Sequence, residues 1–238
     1  MDDVAVPRRA RLDRDQVLRA AVALADEHGL AAVSMRRLSQ QLGVVPMALY
    51  KHVADKEALL DGMVAVVVGE FAAPDPALEW RDAVRARLLS ARQALGRHPW
   101  ARQAIESRTR RTPEVLGHMD AVTGLLRAGG LSDDLTHHVM HALGNRIWGF
   151  SPELFPEAPR DVPATRQEQE ALLREAADRY PNIFAVVRAS AGGDPLAPSR
   201  GCDEDFEFTF ALDVLLDGAE RLRRAGWTSV TADRWSPL

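Results

Sequence analysis

Tyr50, Lys51 and His52 stand side by side in the chain, with Arg36 and Arg37 upstream and Lys56 just downstream. Phenol, ammonium and imidazole groups all donate hydrogen bonds to phosphate oxygens, and the arginines add a fixed positive charge. Met47 and Ala48, immediately before them, offer the apolar contact that a thymine methyl takes in the major groove. These residue types at this spacing suit the surface of a duplex better than acid–base or nucleophilic chemistry.

Such groups act together only if a short helix presents them. Ser34 is a good N-cap, and Met35, Leu38 and Leu42 follow at helical spacing, which predicts one short helix with a buried face. Gly43 comes next, where a left-handed residue ends a helix cheaply. Val44 packs the turn, and Pro46 suits a first helical position because its missing N–H is unneeded there. The spacing predicts a second helix from about Pro46 to Val53, since Asp55 reads as the N-cap of another. Leu49 and Val53 are four apart and face the core, leaving Pro46, Met47, Ala48, Tyr50, Lys51 and His52 outward or sideways. Ser34, Arg36 and Arg37 open the preceding helix, whose first amides can also meet a phosphate, and Lys56 can close on the same backbone. A plain solvated hairpin of helices would carry a similar pattern, so this unit alone does not decide. Upstream, Asp13 and Gln16 form a capping box flanked by a Leu12–Val17 staple. That helix runs to His28, stops at Gly29, and covers the unit with Val17, Ala21 and Leu24.

Residues 12–64 resemble the head of the TetR family of transcriptional regulators. The resemblance rests on Ala-Ala, Gly-Leu, Ser-Met-Arg-Arg-Leu-Ser, Leu-Gly-Val, Leu-Tyr-Lys-His-Val and Lys-Glu-Ala-Leu-Leu in register. It implies that Arg36, Pro46, Met47, Ala48, Tyr50, Lys51, His52 and Lys56 lie at the DNA. Met47 and Ala48 fall where hydrogen-bonding side chains often sit in relatives. Base readout would then lean on methyl contacts, on Arg36 or on DNA shape.

The chain has 238 residues, far more than one small head needs, so a second and larger domain is expected. The division predicted is a DNA-binding domain over 1–58 with a basic arm over 1–12, a helical body over 59–226, and a tail over 227–238. Formal net charge is −4, which by itself argues against nucleic acid, yet residues 1–60 hold nine basic and eight acidic side chains and leave −5 to the remainder. Arg8, Arg9, Arg11 and Arg14 precede the first helix with only Asp13 among them. A basic arm on an acidic body touches phosphates with one end, although a solubilising tail has the same composition. The single cysteine, Cys202, excludes an internal disulfide and a cysteine-based zinc site. No long apolar span or secretory segment is present, so a soluble, cytoplasmic protein with no membrane partner is expected.

Beyond His52 the chain reads as helix after helix. Leu59, Leu60, Met63, Val67 and Phe71 make the first of these a lever between head and body, ended by Pro74-Asp-Pro76. Further helices are predicted from about Leu78 to Leu95, from Trp100, from Thr112–Pro113 to Gly129-Gly130, and from Ser132 to about Phe150. Loops follow over 152–163 and 192–202, separated by a capping box at Thr165 and Glu168. A last helix spans about Asp203 to Ala225. Its apolar residues Leu212, Val214, Leu215, Leu216, Ala219 and Leu222 spread over about 200°, where a helix packed once needs a stripe of about 100°. The surplus predicts a partner. With Val139, Leu143 and Ile147 of the helix after Ser132, it would form a four-helix bundle across a two-fold axis. A monomeric bundle with two central helices is the alternative. The resemblance favours the homodimer, and His98-Pro-Trp100 and the Phe-Ala-Leu-Asp-Val-Leu-Leu run resemble the body of the tetracycline-repressor subgroup.

His137, His141, Asn145 and Trp148 share one helix face. A histidine pair four apart can hold a divalent metal, but no further ligand follows at suitable spacing, and no metal or cofactor is assigned. A polar-aromatic stripe in an apolar bundle suits a small-molecule pocket, for which His98, Trp100, Met119, His141, Asn145, Trp148 and Phe184 are the candidates. The expected function is that of an all-α, homodimeric repressor that leaves a palindromic double-stranded operator when an unidentified small molecule binds its body. The alternatives are a metal-dependent all-α enzyme, for which no nucleophile, base and orienter can be assembled, and an activator with the same head.

Overall fold

The computed structural model describes residues 12–108, 110–148, 165–190 and 203–230. Among these every regular element is helical, in agreement with the all-α class. The order is α1 (Arg14–His28), a 3₁₀ turn (Leu30–Ala32), α2 (Met35–Leu42), α3 (Pro46–Leu49), α4 (Lys56–Gly69), α5 (Trp80–Arg97), α6 (Trp100–Glu106), α7 (Pro113–Ala128), α8 (Asp133–Trp148), α9 (Arg166–Arg179), α10 (Pro181–Ser190) and α11 (Glu204–Arg224).

The helix starts are fixed by their caps. Asp13 Oδ1 accepts from the Gln16 amide at 2.8 Å while Gln16 Oε1 accepts from the Asp13 amide at 3.2 Å. Asp55 Oδ1 accepts from Ala58 N at 2.7 Å, and Ser132 Oγ from Leu135 N at 3.2 Å. Thr165 and Glu168 form the reciprocal pair expected of a capping box.

Three boundaries depart from the sequence-based expectation. The helix predicted from Pro46 ends at Leu49 rather than Val53. Tyr50, Lys51 and His52 continue as a tightened turn, with the His52 and Val53 amides both donating to the Leu49 carbonyl at 2.8 and 3.0 Å. The lever α4 ends at Gly69, before Pro74, and Phe71 stays buried beyond it. The segment after Thr165 is two helices, because Pro181 opens α10 and biases Tyr180 out of the helical region.

The chain divides into two compact units, Met1–Gly149 with Leu212–Leu238, and Phe150–Ala211. The boundary falls inside α11. In the first unit α1 packs on α2 and α4, α4 on α5, α6 and α7, and α8 on α5 and α7. Its core includes Val17, Ala21, Leu38, Leu49, Leu59, Met63, Val84, Leu88, Leu126 and Leu143. Each of the valine, leucine and methionine side chains contributes about 1.5–3 kcal/mol on burial. The α1–α4 contact is close because position 62 is glycine; a Cβ there would meet Leu18 Cδ2 at 2.4 Å. In the second unit α9 pairs with α10. At the start of the tail over 227–238, Ser229 donates from its amide and its hydroxyl to Asp134 at 2.6 and 2.7 Å. These two bonds, the amide's being the larger, hold the Asp134 carboxyl below its usual range. The arm over 1–11, the loops over 152–163 and 192–202 with Cys202, and residues 231–238 lie outside the described residues. No helix among the described residues is long and apolar enough to cross a membrane.

Candidate functional site

The two-helix unit has the geometry its residues require. Ser34 Oγ accepts from the Arg37 amide at 3.2 Å and starts α2. Gly43 closes it at φ 65° and ψ 34°, the left-handed region where a Cβ would be strained. The Val44 amide reaches the Ser39 carbonyl at 3.0 Å, turning the chain into Val45 and the Pro46 start of α3. Leu38, Leu49 and Val53 are buried, and α3 packs on α2, which in turn packs on α1.

The opposite face is open. Pro46, Tyr50 and Lys51 are exposed, and Ala48 and His52 half-buried. Ser34, Arg36, Arg37 and Lys56 are exposed on the flanking starts of α2 and α4. Among the described residues no carboxylate pairs with Arg36, Arg37, Lys51 or Lys56, so their charge faces solvent. Met47 at 70 % and Val45 at 68 % are more exposed than Tyr50 at 46 %, which puts an apolar tip at the start of α3. Val45 is a surface residue that sequence reasoning missed; it differs from the packed Val44 only by standing one position nearer the proline. An exposed apolar tip beside exposed cations and hydrogen-bond donors has the chemistry that a groove flanked by phosphates receives.

The expected pocket residues are distributed differently. His98 is buried, with Nδ1 2.8 Å from Asp26 Oδ1 and Nε2 3.2 Å from Glu70 Oε1. Trp100 Nε1 donates to the same Asp26 oxygen at 2.6 Å. Arg97 closes on Glu70 at 2.6 Å. Burial raises the Glu70 carboxyl, but the Arg97 hydrogen bond and the neighbouring His98 outweigh it and hold the group below its usual range. His98 and Trp100 therefore join α1 and the end of α4 to α5 and α6, and their polar atoms are already used there. Arg108 adds a second tie, reaching Glu57 Oε2 at 2.7 Å and Asp61 Oδ1 at 3.2 Å on α4. Met119 is half-buried on α7, and His141 and Asn145 are exposed on α8. Phe184 is half-buried on α10, in the other unit. The Trp148 side chain lies outside the described residues. The His137 and His141 rings are 4.7 Å apart, and among the described residues no three candidate ligands converge on a metal position.

The surplus apolar arc of α11 is split. Leu212, Leu216 and Ala219 are buried within the protomer, as are Val139, Leu143 and Ile147 of α8. Val214 at 55 % is exposed, and Leu215 and Leu222 are half-buried. These three line a groove of about 460 Å³ between α8 and α11, to which Trp227 and Ser229 also contribute.

Residues 17–63 match the family described as bacterial regulatory proteins, tetR family, and residues 73–223 match the tetracyclin repressor-like C-terminal domain. The HTH-type transcriptional repressor DrrR1 of Streptomyces coeruleorubidus is 34 % identical over 222 residues, covering 89 % of this chain and 78 % of that protein. Apo ActR from Streptomyces coelicolor superposes with a TM-score of 0.68 at 25 % identity, covering 92 % of this chain and all of that one. ActR in complex with actinorhodin gives 0.65 at 26 % identity, covering 89 % and 98 %. Head and body alike therefore place the chain in the TetR family of transcriptional regulators, DNA-binding proteins and not enzymes.

Proposed function

We propose that the chain is a homodimeric repressor that holds a palindromic operator in the cytoplasm and leaves it when a small molecule binds its body. The observation that carries this reading is the unpaired, exposed cationic surface around α3, set on a helix whose other face is locked into the core. The similarity to a named repressor over most of the chain supports repression over activation, and the ActR–actinorhodin complex supports a small-molecule effector. Residues 1–58 read the duplex, and residues 59–226 sense and pair.

Pairing runs through Val214, Leu215 and Leu222, the half of the α11 arc that the protomer leaves open. Two heads at matched spacing then meet half-sites about 34–36 Å apart, or a multiple of that. The ties at Asp26, Glu57, Asp61 and Glu70 carry a change in the body to α1 and α4. An effector acts by preferring the body shape with the wrong head separation, and its whole effect is that difference in affinity.

An electrophoretic shift of the DNA flanking the protein's own gene, repeated with candidate metabolites, tests the reading. A retarded band that one compound abolishes is the expected result; no specific retardation sinks it. The pairing is tested by Val214→Glu, which should leave a folded monomer in sedimentation and weaken operator binding by roughly 10²-fold or more as the joint action of two heads is lost.

A further inference from the structure

The inward face of α5 runs through Ala83, Val84, Leu88, Ala91 and Leu95, and Arg87 interrupts it. Arg87 is only 9 % exposed. One amino group of its guanidinium donates to the Ala72 carbonyl at 2.6 Å, while Nε is buried without an acceptor. Arg81, Arg85, Arg97 and Arg108 all close on carboxylates, yet among the described residues none pairs with Arg87. His118 of α7, in edge contact with Phe71, lies near enough to feel that charge. Its own burial, and then the guanidinium, push it down to about 4, so it is neutral near pH 7 and adds no compensation. Burial also lowers the pKa of Arg87, without taking its charge away. A buried cation without a carboxylate partner is costly to a fold, which marks Arg87 as a candidate functional group.

We propose that Arg87 is the receptor for an anionic group of the effector, a carboxylate or a phenolate, and that capture draws the guanidinium off the Ala72 carbonyl. The proposal rests on the reading of the body as a small-molecule sensor. Ala72 lies just beyond α4, and its amide donates to Ser90 Oγ at 2.8 Å. Helix α5 therefore holds the end of the lever by both the N–H and the C=O of one residue. An anion competing for Arg87 removes one of those two ties, which links charge recognition in the body to the helix that carries the reading head.

Thermal melting of the full chain with sodium benzoate, against neutral benzamide at matched ionic strength, reads this site without DNA. Benzoate should raise the wild-type midpoint with dose and benzamide should not. Arg87→Met should abolish the benzoate shift, and Arg87→Lys, which keeps the charge, should retain part of it. Without additive, Arg87→Met should melt at or above the wild-type temperature, because an apolar side chain of similar length replaces a buried charge. A midpoint several degrees lower would show that the fold needs the buried charge for its own stability, and would overturn the proposal. Equal benzoate shifts in wild type and Arg87→Met, or none in wild type, overturn it as well. If a neutral compound releases operator equally from wild type and Arg87→Met, the anion site falls and the regulator reading stands. If wild type binds no operator but discriminates benzoate through Arg87, the reverse holds.

Discussion

At the surface around α3, proposed to read DNA, Arg36, Arg37, Lys51 and Lys56 are exposed and have no carboxylate partner among the described residues. At the junction between head and body the arginines are closed on acids, Arg97 on Glu70 at 2.6 Å and Arg108 on Glu57 and Asp61. The same kind of cation thus serves opposite ends. An unpaired charge in water keeps its full attraction for phosphate and releases counterions when it binds. A charge already bound to a carboxylate fixes one helix against another and offers little to DNA. The net charge of −4 hides this arrangement, because basic side chains of the body such as Arg81, Arg85, Arg97, Arg108 and Arg127 lie against carboxylates.

The contrast can be broken most sharply at the reading surface. Replacing Tyr50 and Lys51 together by alanine should reduce operator affinity roughly a hundredfold while leaving the melting temperature unchanged, since both are exposed. Lys51→Ala alone should lower the salt dependence, read as the log–log slope, by about one. Retention of normal DNA shifts by the double variant would remove α3 from the interface.

Much of this surface was legible in the chain itself. Local chemistry determined it: Ser34 and Gly43 bracket one short helix, Pro46 opens the next, and Leu49 and Val53 choose its inner face. The tightening after Leu49 was not legible, because Tyr50–His52 keep a helical spacing of side chains while the backbone narrows toward the extended Asp55 cap. The junction was legible only in part. His98 and Trp100 stood out by type, but their partners Asp26 and Glu70 lie 72 and 28 residues away along the chain. No periodicity links such pairs. Arg87 did leave a signal, a charged residue on an otherwise apolar helix face, which the eye passes over in an arginine-rich segment. The division of α11 between core and open groove was visible as an arc too wide for one contact, though which half faced outward was not.

Acid should weaken the body before it affects the exposed cations of the head. His118 titrates near 4 in the folded chain, by burial first and by Arg87 second, and near 6.5 when unfolded. Between these values the unfolded state binds the extra proton, so stability falls as the pH drops from about 6.5 to 4, by on the order of 3 kcal/mol at most. Below about 4.5 the protonation of Glu70 adds to the loss, because its folded value is held lower still. Denaturant melts across this range should be flatter for His118→Leu than for wild type; parallel curves would contradict the assignment.

Within the junction, Asp26→Ala removes the one oxygen that both His98 Nδ1 and Trp100 Nε1 use, leaving two buried donors short of an acceptor. A cost of about 2 kcal/mol is expected, with a loss of effector response larger than the loss of operator binding. Asp15 supplies the control on the same helix. It pairs with Arg19 at 2.9 Å, but the two side chains are 62 % and 73 % exposed. Water and salt screen such a pair, and holding two mobile side chains in one geometry offsets most of the attraction. Asp15→Ala should therefore change stability by no more than about 0.5 kcal/mol and leave the response to effector intact. The two aspartates share a residue type and a helix, and differ in what they hold: Asp26, its side chain 31 % exposed, meets the buried His98 and Trp100, whereas Asp15 meets an exposed arginine. If both substitutions cost the same in a urea melt, burial is not what makes the junction a tie, and transmission from body to head must take another route.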